Sequence, residues 1–598
     1  MRFLLLVFLF SMHLFAQKDT IKLKEVVING AFSKKYNSGF QLKVLQDSVF
    51  STISNLQEIL QEQANIYFKE YGNGMLSSIS LRGSGAAHTA VYFNGIAINS
   101  VLNGQTDFNT INPSDFSQIV IKKGAGSTTL GSGAIGGAIN LKDVITFKKQ
   151  HNFKLFSGYG SYYTFLTNIN FSNGSKKYYQ KYAISYKKSD NDYPYLTTNK
   201  HNKNGAYHNL FYKAVFGYLI DDQNQLQFFA NYSTNNRNLS GTLTADSNAK
   251  LIDKSTRILL RYKNTKLLTN QEVSVAYLNE YYRFYLDKTA VDYSFGNASN
   301  YLLKYSISYF FTNQIQFYSG VTGKLINANG SAIFSQNIKQ SEGFLLSHIR
   351  PMAKMQLNLG IRKGVASNFK IPLVYSIDAS YKVNNAFLLK SNFSTNYRLP
   401  TINDLYWDPG GNPNLKAENN HSFELGTNYK YKKVVIDVAI FYTKSKNLIQ
   451  WQPTIAGIWQ PKNIQSVTAK GVDIEANYKR KQLTFQLAYS FTDSKDDMQQ
   501  KQLVYVPFHK VMANANYKIK DWHFFVNLQH SGKVFTTISN SQIIEPFTVL
   551  NFRLNRNIPK WYSNVGVKIS NLLNTYYEVI AYRPMPNRNY QVYFTIKF

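Results

Sequence analysis

The 598-residue chain contains no cysteine. Disulfides, thiolate zinc sites, iron–sulfur clusters and cysteine nucleophiles are excluded, as is a lipid carried on an N-terminal cysteine. Proline is sparse at 14 residues, which excludes a collagen-like or low-complexity chain. Acidic residues are few: 34 Asp and Glu stand against 67 Lys and Arg, a formal charge of +33. Beyond the first 16 residues no apolar run approaches the roughly 20 residues that a membrane-spanning helix needs. Neither H-E-x-x-H nor G-x-S-x-G occurs, which points away from an enzyme.

What the chain has in excess is aromatic rings: 15% of residues, with 44 Tyr and 42 Phe. Strands and membrane interfaces both favour them. Residues 1–16 read as a signal peptide: Arg2, the apolar core Phe3–Phe10 and the small Ala16, with Leu14 larger than usual before the cut. The positive charge is spread along the chain, and export removes nucleic acid as a partner. A cationic surface among anionic lipid head groups is the expected setting.

The texture changes near residue 148. Downstream, strand-like alternation recurs. Leu483, Phe485, Leu487, Tyr489 and Phe491 alternate with Thr484, Gln486, Ala488 and Ser490, and Ile315, Phe317 and Ser319 repeat the pattern. Polar breaks such as "SNGSKK" and "DSKDDMQQKQ" separate the runs. Apolar residues on one face and Asn, Ser and Gln on the other suit a transmembrane barrel with lipid outside and a polar lumen. The length left allows about 22 antiparallel strands of 9–11 residues with their connections. The closing stretch "YQVYFTIKF" alternates up to Phe598, as expected of a strand that closes the barrel.

Upstream, Ser54 and Gln57 form a capping-box pattern ahead of Leu56, Ile59 and Leu60 on one helical face. Strands are expected over 77–83 and 90–98, with Asn94-Gly95 as a turn. The stretch Ile119–Leu141 is Gly-rich. Its G-x-G-x-x-G spacing from Gly131 is followed by strand-like "GAINL" and not by a helix, so a dinucleotide site is not expected. Ser132 stands where a phosphate loop needs lysine. Tight turns and close backbone packing are expected instead, with a turn at Gly136 and Gly137.

Six segments in order carry a resemblance: "IKLKEVVING", "ISLRG", "VYFNGIAIN", "IVIKKGAGSTTLGSGAIGGAINL", "NYRLPTINDLYWDPGGNPNLKAEN" and "NLLNTYYEVI" with the terminal Phe598. The chain resembles the TonB-dependent outer-membrane receptors over nearly its whole length. The resemblance implies an all-β transmembrane barrel with an N-terminal α+β plug in its lumen. It divides the chain into a signal peptide (1–16), an energy-coupling segment (17–30), a plug (31–147) and a barrel (148–598). Glu25, Val26, Val27 and Ile28 occupy the TonB box; Arg82, Gly83, Gly95, Gly124, Gly131, Gly136 and Gly137 occupy plug motifs. Asn94 stands where the family usually has Asp, and Val120 where it usually has Glu, which puts a plug salt bridge through those acids in doubt.

The implied partners are the TonB periplasmic domain, outer-membrane lipids and a scarce small ligand, with the barrel monomeric and in the outer membrane of a Gram-negative bacterium. No cofactor is implied. The late signature and "YEVIAYRPMPNRNY" resemble the cobalamin-receptor branch, with ferric siderophore or haem receptors as the alternative and a passive pore or adhesin as the other class. Asp190 and Asp192 are calcium candidates in an outer loop. Tyr406 and Trp407 are candidates for ligand contact, with packing the competing role.

Overall fold

The computed structural model describes residues 32–598 apart from 51–54, 197, 368 and 456. Residues 1–16, expected as a signal peptide, Glu25–Ile28 and Ser54 therefore lie outside the described residues.

The first unit is a mixed five-stranded sheet in the order Leu42–Gln46, Gln118–Lys123, Gly137–Lys142, Thr89–Phe93 and Ile96–Ala97. Only the pairing of Thr89–Phe93 with Gly137–Lys142 is parallel. Its strands carry apolar residues on both faces, as a sheet buried on both sides requires. Ile119, Ile121, Ile139 and Leu141 meet Leu56, Ile59 and Leu60 of the helix Leu56–Ala64. The other face, with Val120, Ala90 and Ala138, packs on Tyr318, Phe344 and Leu346 of the surrounding wall. Val120 is thus a core residue, which accounts for the missing Glu.

The helix starts one residue later than the sequence suggests. Asn55 is its cap, accepting from the Glu58 amide at 2.8 Å. The expected strand over 77–83 stops at Ser80, because Arg82 and Gly83 both adopt positive φ, +52° and +74°. The Asn94-Gly95 turn forms as expected, with φ of +48° and +87°. Asn94 exchanges two hydrogen bonds with Asp143: its amide donates to the carboxylate at 3.0 Å, and its oxygen accepts from the Asp143 N–H at 2.8 Å. An aspartate here would face a carboxylate.

Gly136 and Gly137 correct an expectation: positive φ belongs to Gly124, Gly131 and Gly133, not to this pair. What Gly137 supplies is room, since a Cβ there would stand 2.5 Å from the Lys122 carbonyl oxygen and 2.9 Å from Leu81 Cδ1. Gly137→Val is therefore expected to force apart the two strands it joins and loosen the plug, at about 1–3 kcal/mol. Sensitivity of cells to large antibiotics checks this, and unchanged sensitivity would mean that the plug tolerates the branched side chain.

The second unit is a closed barrel of 22 strands, every neighbouring pair antiparallel. Residues 353–354, 432–433, 481–482 and 520–521 make tight turns at one end, whereas 190–206, 399–417 and 571–588 are long loops at the other. In an outer-membrane barrel the short turns face the periplasm. Period-two patterning sorts the faces: Phe485 and Leu487 are exposed outward, while Gln486 and Ala488 are buried within. The strand Asn589–Lys597 pairs with Ser563–Ser570 on one side and Gln150–Gly160 on the other. Phe598 extends this seam through reciprocal backbone bonds with Phe153 at 2.9 and 3.0 Å. Neither edge is left open.

Candidate transport path and its plug anchorage

The plug is held in the lumen by charged side chains bonded to the wall. Arg82 is the central one. Its positive φ turns the side chain away from the strand before it and towards the wall, where Nη1 meets Glu424 at 2.5 Å and Nε meets Asp473 at 2.9 Å. The guanidinium lies over Phe441, 4.6 Å from the ring centroid. Two of the motif glycines make this possible. A Cβ on Gly124 would stand 2.8 Å from Arg82 Nη1, and one on Gly83 would stand 2.6 Å from Ser494 Cβ. Gly131 has φ +92° beside Glu342, itself bonded to Arg362 at 2.9 Å.

A second anchor runs through His88. The Gly85 N–H donates to its Nδ1 at 3.1 Å, which fixes the proton on Nε2, and that nitrogen donates to Glu418 at 2.6 Å. Arg398 holds the same carboxylate from the other side at 2.6 and 2.8 Å. Further round the wall, Arg237 bridges plug Asp107 (2.5 Å) to Asp253 (2.8 Å), and Lys213 meets Asp143 at 2.7 Å. On the helix Leu56–Ala64, Glu62 pairs with Arg553 and Glu58 with Lys568.

Beside that helix lies a cavity of about 220 Å³, between the plug and the outer half of the wall. Glu58, Glu70, Lys187, Lys510 and Lys568 line it among many amides and tyrosines. Among the described residues no cation is bonded to Glu70. Gln57, Asn109 and the Gly74 N–H donate to it at 3.0, 2.9 and 3.1 Å, and burial pushes its carboxyl up to about 7. Lys187 lies 5.3 Å from the Tyr207 ring centroid.

The loop 571–588 covers this cavity. It turns inward as a small hairpin, Glu578–Ile580 with Arg583–Pro584. The Tyr193 hydroxyl donates to the Pro584 carbonyl at 2.9 Å, and Arg583 donates to the Ser240 and Gly241 carbonyls at 2.7 and 3.0 Å. The segment "YEVIAYRPMPNRNY" is thus mostly a cover over the plug.

Other sequence candidates fall elsewhere. Tyr406 ends the helix Ile402–Tyr406, and Trp407 follows it. Both are half-buried against Leu102 of the plug and Ile333 of the wall, so their rings pack. Asp190 and Asp192 are exposed, and the side chain of Asn191 between them is taken up by Asn73 and Gly205. Among the described residues no group of three His, Cys, Asp or Glu side chains stands together as a metal site. Glu424, Asp473 and Glu418 escaped the sequence reading. Their signal was parity: they are carboxylates at lumen-facing strand positions in a chain with only 34 acids.

A family model described as TonB dependent receptor-like, beta-barrel matches residues 79–572. The vitamin B12 transporter BtuB of Photobacterium profundum is 21% identical over 559 residues, 91% of this chain and 90% of that one. BtuB of Vibrio vulnificus (strain YJ016) is 24% identical over 532 residues, covering 85% and 83%. Among solved structures, the FrpB iron transporter from Neisseria meningitidis superposes with a TM-score of 0.81 at 15% identity, covering 94% of this chain and 99% of that one. The copper transporter OprC gives 0.79 at 13%, covering 93% and 98%. A 22-strand barrel filled by an anchored plug, matched by that family model over most of its length, belongs to the TonB-dependent receptor family: the chain is a transporter of the Gram-negative outer membrane.

Proposed function

We propose that the transported ligand is a cobalamin-like corrinoid. The supporting observation is that two relatives named as vitamin B12 transporters align over 91% and 85% of this chain. The lining of the covered cavity supports that reading in kind, and at about 220 Å³ the cavity would admit a molecule of that size only with the loop 571–588 lifted. A corrinoid presents amides, hydroxyls and one phosphodiester, and the cavity offers amides, tyrosines and the ammonium of Lys187. In this reading Glu25–Ile28 pairs with the TonB periplasmic domain by strand addition, and the force so applied loosens the plug (31–147) within the barrel (148–598).

The test is growth and uptake in a strain lacking the gene. Complementation is expected to restore growth on scarce cobamides and not on ferric siderophores or haem. Uptake of labelled cobalamin is expected to stop when the proton-motive force is collapsed. Restored growth on iron chelates alone would make the ligand ferric, and uptake that survives collapse of the force would make the barrel a passive pore.

A further inference from the structure

The short-turn end of the barrel carries its densest positive charge along one part of the rim. Along one half of the rim, consecutive turns and strand ends carry Lys432, Lys433, Arg480, Lys481, Lys520 and Arg556, all exposed, with Lys560 continuing the row. None of these seven makes an ion pair with a carboxylate among the described residues, and Asp521 is the one acid in those turns. The turns are laced to each other by backbone bonds, Lys479 N–H to Lys433 O at 3.2 Å, Lys518 N–H to Gln482 O at 3.0 Å and Asn557 N–H to Asp521 O at 2.8 Å. The charges therefore form one continuous crescent. The rest of the rim is sparser and mixed in sign: the turn 220–223 carries Asp221 and Asp222, the turn 311–314 carries no charge, and Lys176, Lys177, Lys266, Arg350, Lys354 and Lys382 are spread over the remaining turns.

Aromatic rings interleave with the crescent. Lys432 lies 5.2 Å from the Tyr431 ring centroid and Arg556 5.2 Å from that of Trp522, while Trp561, Tyr562 and Phe598 are more than half exposed. Arg480 and Arg556 stand on the lipid-facing side of their strands, level with this girdle. Rings sit at the boundary between hydrocarbon and head groups, so the cations beside them sit at head-group depth. Of these cations, Arg480 and Arg556 are reached only through the bilayer interface.

We propose that this crescent binds anionic phospholipid head groups of the periplasmic leaflet, and that it selects them over zwitterionic ones. Seven unpaired cations held against a membrane surface concentrate phosphate-bearing lipids that carry net negative charge, and an ammonium-bearing head group offsets that attraction. Lipid molecules of this class would gather most densely along the crescent and more thinly around the rest of the rim.

The experiment is native mass spectrometry of the full-length barrel offered equal phosphatidylglycerol and phosphatidylcholine. The wild type is expected to retain phosphatidylglycerol in excess. The variant carrying Lys432→Gln, Lys433→Gln, Lys481→Gln and Lys520→Gln is expected to lose that excess by roughly ten-fold or more. A charge-matched control, Lys370→Gln, Lys416→Gln, Lys501→Gln and Lys533→Gln in the outer loops, is expected to keep it. Should the first variant assemble poorly, the wild-type melting midpoint in nanodiscs of the two lipids reads the same preference, higher in phosphatidylglycerol. Equal retention by the wild type, an equal loss in the control, or capture of acidic soluble peptides without lipid preference would overturn the proposal.

Discussion

Arg82→Ala is expected to unlock the plug. In the wild type one guanidinium bridges Glu424 and Asp473, both buried in the lumen wall. Alanine leaves the two carboxylates facing each other with no cation bonded between them, and removing one partner of a buried ion pair costs about 3–5 kcal/mol. The hydrophobic surface around the site is unchanged, so the barrel should still assemble; what weakens is the hold of the wall on the plug. The expected readouts are hypersensitivity to large antibiotics and faster proteolysis of the plug in purified protein. Arg82→Lys should lie between, because an ammonium is a point charge and lacks the fork that serves both acids. Adding Glu424→Gln and Asp473→Asn to Arg82→Ala should recover much of the loss by removing the unpaired charges. Wild-type permeability and proteolysis in the single variant would show that the other anchors suffice and that Arg82 is dispensable.

Val27→Pro is expected to abolish energised uptake while leaving ligand binding at the cell surface intact. Proline fixes φ and removes the amide donor, both of which a strand-pairing segment needs. The expectation rests on the place of Glu25–Ile28 ahead of the plug and on the family to which the chain belongs. Binding and transport are measured separately on the same cells, with surface expression matched. Transport at the wild-type rate would remove this segment from the coupling role.

Much of the architecture was legible in the chain because strands write a short-range code. The terminal alternation from Tyr590, the strand after Gly136 and the Asn94-Gly95 turn depend on neighbours two or three residues away, and each forms as read. The cap of the first long helix was misplaced by one residue, since Ser54 and Asn55 are both good caps and the pattern alone does not choose. The role of Gly137 was legible as a need for glycine and illegible as to cause. Conformational freedom and close approach leave the same letter in a sequence, and only the position of Lys122 decides. The anchors lay beyond reach for a different reason. Arg82 and Glu424 are 342 residues apart, and nothing in either neighbourhood names the other. The covered cavity is assembled from short pieces of the plug, of strands on both sides of the seam and of the last loop, so no single segment carries its signature.

The seam of the barrel has a consequence for biogenesis. Gly160 pairs with Gln591, which places the closing contact between strands that leave the ribosome some 430 residues apart. Bringing ends so distant together carries a loop-closure entropy of roughly 5 kcal/mol before any seam bond forms. Until Asn589–Lys597 arrives, the strand Gln150–Gly160 presents a row of unpaired amides and carbonyls. The chain must cross the periplasm in that state, with the exposed apolar stripe of Tyr590, Val592 and Phe594 as yet unshielded by lipid. Such a precursor is prone to pair with other copies of itself. Its survival before insertion is therefore expected to need chaperones that mask strand edges, and their depletion should lower this protein's abundance before that of soluble periplasmic proteins with local topologies.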